Sequence, residues 1–131
     1  MSAPVIRVVA ALITDPAGRL LLVRKRGTDR FMQAGGKPEP GESPRAALVR
    51  ELEEELGLVV PEAALEAVGA FTTDAANEAG HRLEAEVFRL EVAHEVAPRA
   101  EIEELAWLAP DAARALGPRL APLAHLLLPS P

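Results

Sequence analysis

Glu51, Glu54 and Glu55 stand three and four residues apart in the stretch GGKPEPGESPRAALVRELEEELGL, residues 35–58. On a helix that spacing places three carboxylates on one side, where they can meet a common ligand. Glu53, between them, projects toward another side. Like charges one turn apart cost only roughly 0.2–0.5 kcal/mol per pair, so a solvated helix face could tolerate them. Their late placement adds a penalty, because the C-terminal end of the helix dipole is negative, and Arg50 offsets only part of it. A divalent cation would offset far more. Carboxylate oxygens are hard ligands that suit Mg²⁺ or Mn²⁺, and these ions also bind phosphate oxygens. A metal so placed orients a diphosphate, neutralises its charge and activates an attacking water, which is the chemistry of phosphoryl transfer to water. The helix pattern alone leaves two alternatives standing, a solvated acidic face and a metal-binding cluster.

Positioning these acids requires a helix with a defined start, stop and buried side. Ser43 is a candidate N-cap, Pro44 suits the first helical position, and Gly57 can stop the helix in a left-handed conformation. The helix is therefore expected over 44–56. Leu48, Val49, Leu52 and Leu56 form an apolar arc beside the acidic one, so the leucines can anchor the helix while the carboxylates reach a cleft. Ahead of it, Gly35 and Gly36 permit unusual backbone angles and close approach of carbonyl oxygens to an ion. Pro38, Pro40 and Gly41 turn the chain before Glu42. The loop is neither a P-loop nor a dinucleotide fingerprint, since it lacks Gly-Lys-Ser/Thr and Gly-x-Gly-x-x-Gly.

Around this segment, apolar runs predict strands over 5–14 and 20–23, joined by the turn Asp15-Pro16-Ala17-Gly18, with a short segment over 31–34. Further strands are expected over 65–73 and 83–93, and a short one containing Trp107 and Leu108. Residues 111–116 and 120–128 read as one C-terminal helix, broken near Gly117-Pro118 and at Pro122. This order predicts mixed α/β layers with helices covering a curved or mixed sheet.

Composition bounds the function. With 131 residues, 49% hydrophobic, the chain suits a single domain over residues 1–131. A net charge of -6 argues against a nucleic-acid backbone binder, though a bound cation can make an acidic cleft accept a polyanionic small molecule. The absence of cysteine excludes disulfides, thiolate metal sites and a cysteine nucleophile. No run approaches the roughly 18 apolar residues of a membrane span, and the first residues lack a basic region followed by an apolar stretch. A cytoplasmic location is expected, with neither a membrane nor a stable nucleic-acid partner; a homodimer is left open.

The segment resembles the signature of the Nudix hydrolase family, Gly-x5-Glu-x7-Arg-Glu-hydrophobic-x-Glu-Glu-x-Gly-hydrophobic. Gly36, Glu42, Arg50, Glu51, Leu52, Glu54, Glu55, Gly57 and Leu58 fill every defined position. The resemblance implies a Nudix-type α/β/α sandwich with a curved mixed sheet. It also implies Mg²⁺- or Mn²⁺-dependent, MutT-like hydrolysis of a pyrophosphate bond in a nucleoside diphosphate linked to X. Carried onto this chain, Glu51, Glu54 and Glu55 become the principal metal ligands, and Gly35 adds its carbonyl oxygen. Arg50 orients a carboxylate, Glu42 steadies loop and helix, and Glu54 is the candidate for activating water.

Outside the signature, Arg24 and Arg26 share a strand face and are favoured over Lys25 for phosphate binding. Phe31 and Met32 lie where family members shape the nucleobase pocket, and Glu101 is a candidate further metal ligand or base. Packing for the former pair and a solvated loop for Glu101 are the structural alternatives. His81, His94 and His125 have no spacing that suggests metal binding. Family markers narrow the substrate by their absence. Thr73 replaces the proline of many ADP-ribose-directed members, the tyrosine of dinucleoside-polyphosphate members is missing, and so is the cysteine of isopentenyl-diphosphate isomerases. The remaining choice is a small phosphorylated nucleotide, such as an ordinary or oxidised nucleoside triphosphate. A Nudix-fold nucleotide sensor without catalysis is the competing function.

Overall fold

The computed structural model describes residues 4–76 and 78–129. The ten-residue strand β1 (Val5–Thr14) and β2 (Leu20–Lys25) form a hairpin. Its turn is closed by Asp15, whose Oδ1 accepts the N–H groups of Ala17 and Arg19 at 3.0 and 2.8 Å. Strands β3 (Phe31–Met32) and β4 (Ala34–Gly36) follow, then helix α1 (Pro44–Leu56). The second half contains β5 (Glu66–Asp74), β6 (Arg82–Glu91), β7 (Ile102–Leu108) and two short helices, α2 (Pro110–Arg114) and α3 (Pro122–Leu127).

The seven strands of the described residues join one mixed sheet, with the path β3-β2-β1-β6-β5, β4 also pairing with β1 and β7 with β2. The β1–β6 pair is parallel in register from Val5↔Arg82 to Thr14↔Glu91. The other named pairs are antiparallel. Period-2 alternation sends β1 side chains to two cores. Val9, Ala11 and Ile13 meet Leu48, Leu52 and Leu56 of α1. Ala10 packs with Ala85, Val87 and Leu123 of α3 on the opposite face, while Leu20, Leu22 and Phe31 pack with Ala113, Leu120 and Ala124. Helices on both faces make the expected α/β/α sandwich.

Helix α1 has the predicted limits. The Ser43 side chain accepts the Ala46 N–H at 3.1 Å, and Gly57, at φ 64°, caps the Glu53 carbonyl through its N–H at 2.9 Å. Other boundaries differ from expectation. β5 and β6 are displaced by one residue at their starts, and β6 ends two residues early, at Glu91. Strand β7 begins at Ile102, so Glu103 and Glu104 are strand residues rather than loop residues. Pairing with β2 makes this possible, because Arg24 and Arg26 neutralise Glu104 and Glu103 at 2.8 and 3.3 Å. The C-terminal segment is more broken than one interrupted helix. Gly117–Arg119 is a 3-10 turn, and Leu120 forms a bridge to Phe31. Pro118 and Pro122 lack the N–H groups a continuous helix would need, and the Ala121 N–H donates instead to the Phe31 carbonyl at 2.8 Å. Among the described residues, no helix is long and apolar enough to cross a membrane.

Candidate active site

The leucine face of α1 presses the helix onto the sheet, and this drags part of the acidic arc out of water. Glu55 is 2% exposed. It survives there because the Gly35 N–H donates to its Oε1 at 3.0 Å. Burial nevertheless pushes its carboxyl up to about 7; the Gly35 N–H and the Lys25 charge oppose that rise, and Glu51 and Glu101 reinforce it. Glu51 is partly withdrawn from water, and burial raises its pKa against the opposing hydrogen bond from Arg50. Its carboxylate lies against Gly36. A Cβ added to that glycine would stand 2.6 Å from the carboxyl carbon, so the position requires the absence of a side chain. Gly35 is equally constrained, with φ at 151° and a Cβ position blocked by the Val9 carbonyl.

Arg50 ties the loop to the helix. Its Nε and Nη2 donate to the two Glu42 oxygens at 2.7 and 2.9 Å, Nη1 donates to Glu51 at 2.8 Å, and Nη2 also reaches the Lys37 carbonyl at 3.2 Å. The bidentate bond from Arg50, followed by the Glu39 N–H, holds the Glu42 carboxyl down to about 2. Glu54 is different: more than half exposed, it has only a long 3.5 Å contact with Arg50. Glu53 is exposed.

Glu51, Arg50, Gly35 and Gly36 line a cavity of about 590 Å³, together with Lys25, Lys37 and Glu101. Val8, Ala10, Leu83, Leu123, Met32 and Gln33 also line it. Glu101 pairs with Lys25 at 3.3 Å. Arg24 and Arg26 do not line this cavity. They pair with Glu104 and Glu103 at 2.8 and 3.3 Å, whereas Lys25, which the sequence reading ranked below them, lines the cavity. Leu21 and Val23 face α1, and strand alternation carries Lys25 onto that same side. The cue lay in those two residues, since the face that meets the helix also meets its acids. Phe31 lies elsewhere. It is buried in the core beside Leu20 and Leu120, with the Arg119 guanidinium 5.5 Å from its ring, and only its neighbour Met32 reaches the cavity. Sequence reasoning overlooked Gln33 entirely. His81, His94 and His125 each contact a backbone carbonyl.

Among the described residues, no three Asp, Glu or His side chains are gathered at metal-holding distances. Arg50 draws Glu51 and Glu54 toward itself, and Glu55 turns to the Gly35 N–H. The donor chemistry still fits Mg²⁺ or Mn²⁺. The side chains are oxygen donors on one helix, and two of them are raised in pKa by burial that a cation would compensate.

Comparison with known proteins agrees with this architecture. The chain is 39% identical over 69 residues to an 8-oxo-dGTP diphosphatase of Haemophilus influenzae, a match covering 50% of this chain and 51% of that protein. It is 52% identical over 56 residues to a CTP pyrophosphohydrolase of Escherichia coli, covering 40% and 42%. An isopentenyl-diphosphate Delta-isomerase of Nocardia farcinica is 36% identical over 120 residues, covering 83% and 66%. The chain thus spans about half or less of the first two relatives and just under two thirds of the third. A MutT NUDIX hydrolase structure from Burkholderia pseudomallei superposes with a TM-score of 0.77 at 25% identity, covering 95% of each chain. The NUDIX domain is matched over residues 4–127, so that motif, fold and family comparison coincide: the chain belongs to the Nudix family.

Proposed function

We propose that this chain acts as one Nudix domain that hydrolyses a pyrophosphate bond in a nucleoside diphosphate linked to X, with an ordinary or oxidised nucleoside triphosphate as the favoured substrate. The observation that carries the proposal is the complete acidic motif on α1 beside a cavity large enough for a nucleotide. Glu51, Glu54 and Glu55 would hold Mg²⁺ or Mn²⁺, assisted by the Gly35 carbonyl and by Glu101. A bound divalent ion supplies charge neutralisation on the phosphates and a lowered pKa for water.

The chain's own groups do the rest. Lys25 and Lys37, which line the cavity, attract the phosphates as point charges. Arg50 keeps Glu51 aimed at the cavity through their 2.8 Å bond and anchors the loop through Glu42. Glu54, exposed and only loosely held, has the freedom to accept a proton from the attacking water. The aliphatic wall of Val8, Ala10, Leu83 and Leu123 shelters the rest of the substrate from water.

The 8-oxo-dGTP diphosphatase and CTP pyrophosphohydrolase relatives support a nucleoside triphosphate. An isomerase activity like that named for the Nocardia relative is disfavoured by the absence of cysteine here. The test is a mass-spectrometric screen of ordinary and oxidised triphosphates, ADP-ribose, nucleotide sugars and diadenosine polyphosphates with Mg²⁺ and with Mn²⁺. Metal-dependent release of a monophosphate and pyrophosphate from a triphosphate is expected. Tight nucleotide binding with the ligand recovered intact would instead identify a sensor.

A further inference from the structure

Among the described residues, three polar or charged ones are buried, Asp15, Gln33 and Glu55. Asp15 is bonded to Ala17 and Arg19, and Glu55 to Gly35. Gln33 is 8% exposed, and its Oε1 is sealed from solvent without a hydrogen-bond partner among the described residues. An unmet buried amide oxygen is costly.

The cavity supplies a reason for the amide. Gln33 lines it together with the aliphatic wall of Val8, Ala10, Leu83 and Leu123, and no aromatic side chain lines it among the described residues. A planar base in this space therefore has no ring to stack on, and recognition falls to hydrogen bonding at its edge. Gln33 is two residues from Gly35, about 7 Å along an extended chain, so one nucleotide can span both the carboxylates and the amide. A primary amide presents a donor and an acceptor side by side, the complement of the paired donor and acceptor on a nucleobase edge. A hydrocarbon chain on a diphosphate has neither.

We propose that Gln33 is the specificity-determining residue of this cavity: its side chain, whose buried amide oxygen has no hydrogen-bond partner among the described residues, turns to pair with the edge of a nucleobase and selects a nucleotide over a diphosphate or polyphosphate that lacks a base. This inference rests on the nucleotide-directed function proposed above and assigns the group that would enforce it.

The experiment is calorimetric titration of the full chain in Mg²⁺ buffer with the α,β-methylene analogues of ATP, GTP, CTP and UTP, and with inorganic tripolyphosphate. Gln33→Leu should weaken the best-bound analogue roughly 10- to 100-fold and leave tripolyphosphate affinity unchanged. Its melting temperature should equal or exceed that of the wild type, because the orphaned amide is gone. Gln33→Glu, an acceptor-only group when ionised, should shift the ranking toward guanine, which offers adjacent N1–H and N2–H donors, and away from uracil. Unchanged nucleotide affinity in Gln33→Leu, an equal loss for tripolyphosphate, a fall in melting temperature, or a wild type that binds none of the four analogues would each overturn the assignment. Nucleotide binding that depends on Gln33 without turnover of ordinary triphosphates would refute hydrolysis while leaving the recognition role intact.

Discussion

Replacing Glu55 by Gln should make the metal-free protein more stable, and only at high pH. Glu55 is 2% exposed, and burial raises its carboxyl from the ordinary 4.5 to about 7. The native state therefore holds the proton more tightly than the unfolded chain does. Below pH 4.5 both states are protonated and the group costs nothing; between 4.5 and 7 only the unfolded chain ionises; above 7 the native state must bury the charge. Stability is thus lost as pH rises through this window. Each pH unit is worth about 1.4 kcal/mol, so the full penalty above pH 8 is roughly 3 kcal/mol. A glutamine carbonyl can still accept the Gly35 N–H, while its NH₂ group needs a partner, at a cost of about 1 kcal/mol. The expected net gain is about 2 kcal/mol at pH 8, falling to zero or reversing at pH 5. Urea denaturation of both proteins in chelator at constant ionic strength, at half-unit steps from pH 5 to 8.5, measures this difference. Millimolar Mg²⁺ should then stabilise the wild type more than the variant, because only the wild type has the carboxylate to bind it. A stability difference that stays flat with pH, or a variant less stable than wild type at pH 8, would refute the account of Glu55 as a destabilising acid retained for ligand binding.

Other perturbations separate the roles of neighbouring residues. Glu54→Ala should lower kcat by roughly 100-fold or more with an unchanged denaturation midpoint, whereas Glu53→Ala, on the exposed side, should leave turnover within about 2-fold; steady-state kinetics on the best substrate checks both. Lys25→Ala should raise KM about 10-fold and Arg26→Ala should not, since Lys25 lines the cavity while Arg26 pairs with Glu103. Gly36→Ala should impair metal binding measured by Mn²⁺ titration, because its Cβ would displace the Glu51 carboxylate. Arg50→Ala should lower the urea denaturation midpoint at pH 7, as it leaves the Glu42 and Glu51 carboxylates unpaired. The stabilisation that Arg50 gives Glu42 should vanish as pH falls from 4.5 toward 2, where Glu42 takes up its proton.

Local rules made α1 legible residue by residue. Ser43, Pro44 and Gly57 act through their own backbone chemistry, and the leucine arc that anchors the helix follows from its 3.6-residue period. The strands were recognisable from apolar runs, but their ends were not. Glu103 and Glu104 look like loop residues until β2 places arginines across from them, and ion pairs between residues nearly eighty positions apart leave no local trace.

The sequence by itself determined the type of chemistry available: three carboxylates on one helical side, a glycine pair ahead of them, and no thiol. It also determined that the leucines would bury their face of that helix. The tertiary structure alone decided how those carboxylates differ. Packing against the sheet sealed Glu55 onto the Gly35 N–H, half-covered Glu51 against Gly36, and left Glu54 outside. It turned Lys25 rather than Arg24 or Arg26 toward the cavity, buried Phe31, and left the Gln33 amide oxygen without a partner among the described residues. The physical reason is common to all of these. Helical and strand periodicity fixes direction about each element's own axis, but dielectric environment, pairing and access depend on what a second element places opposite, and that is a property of the packed fold.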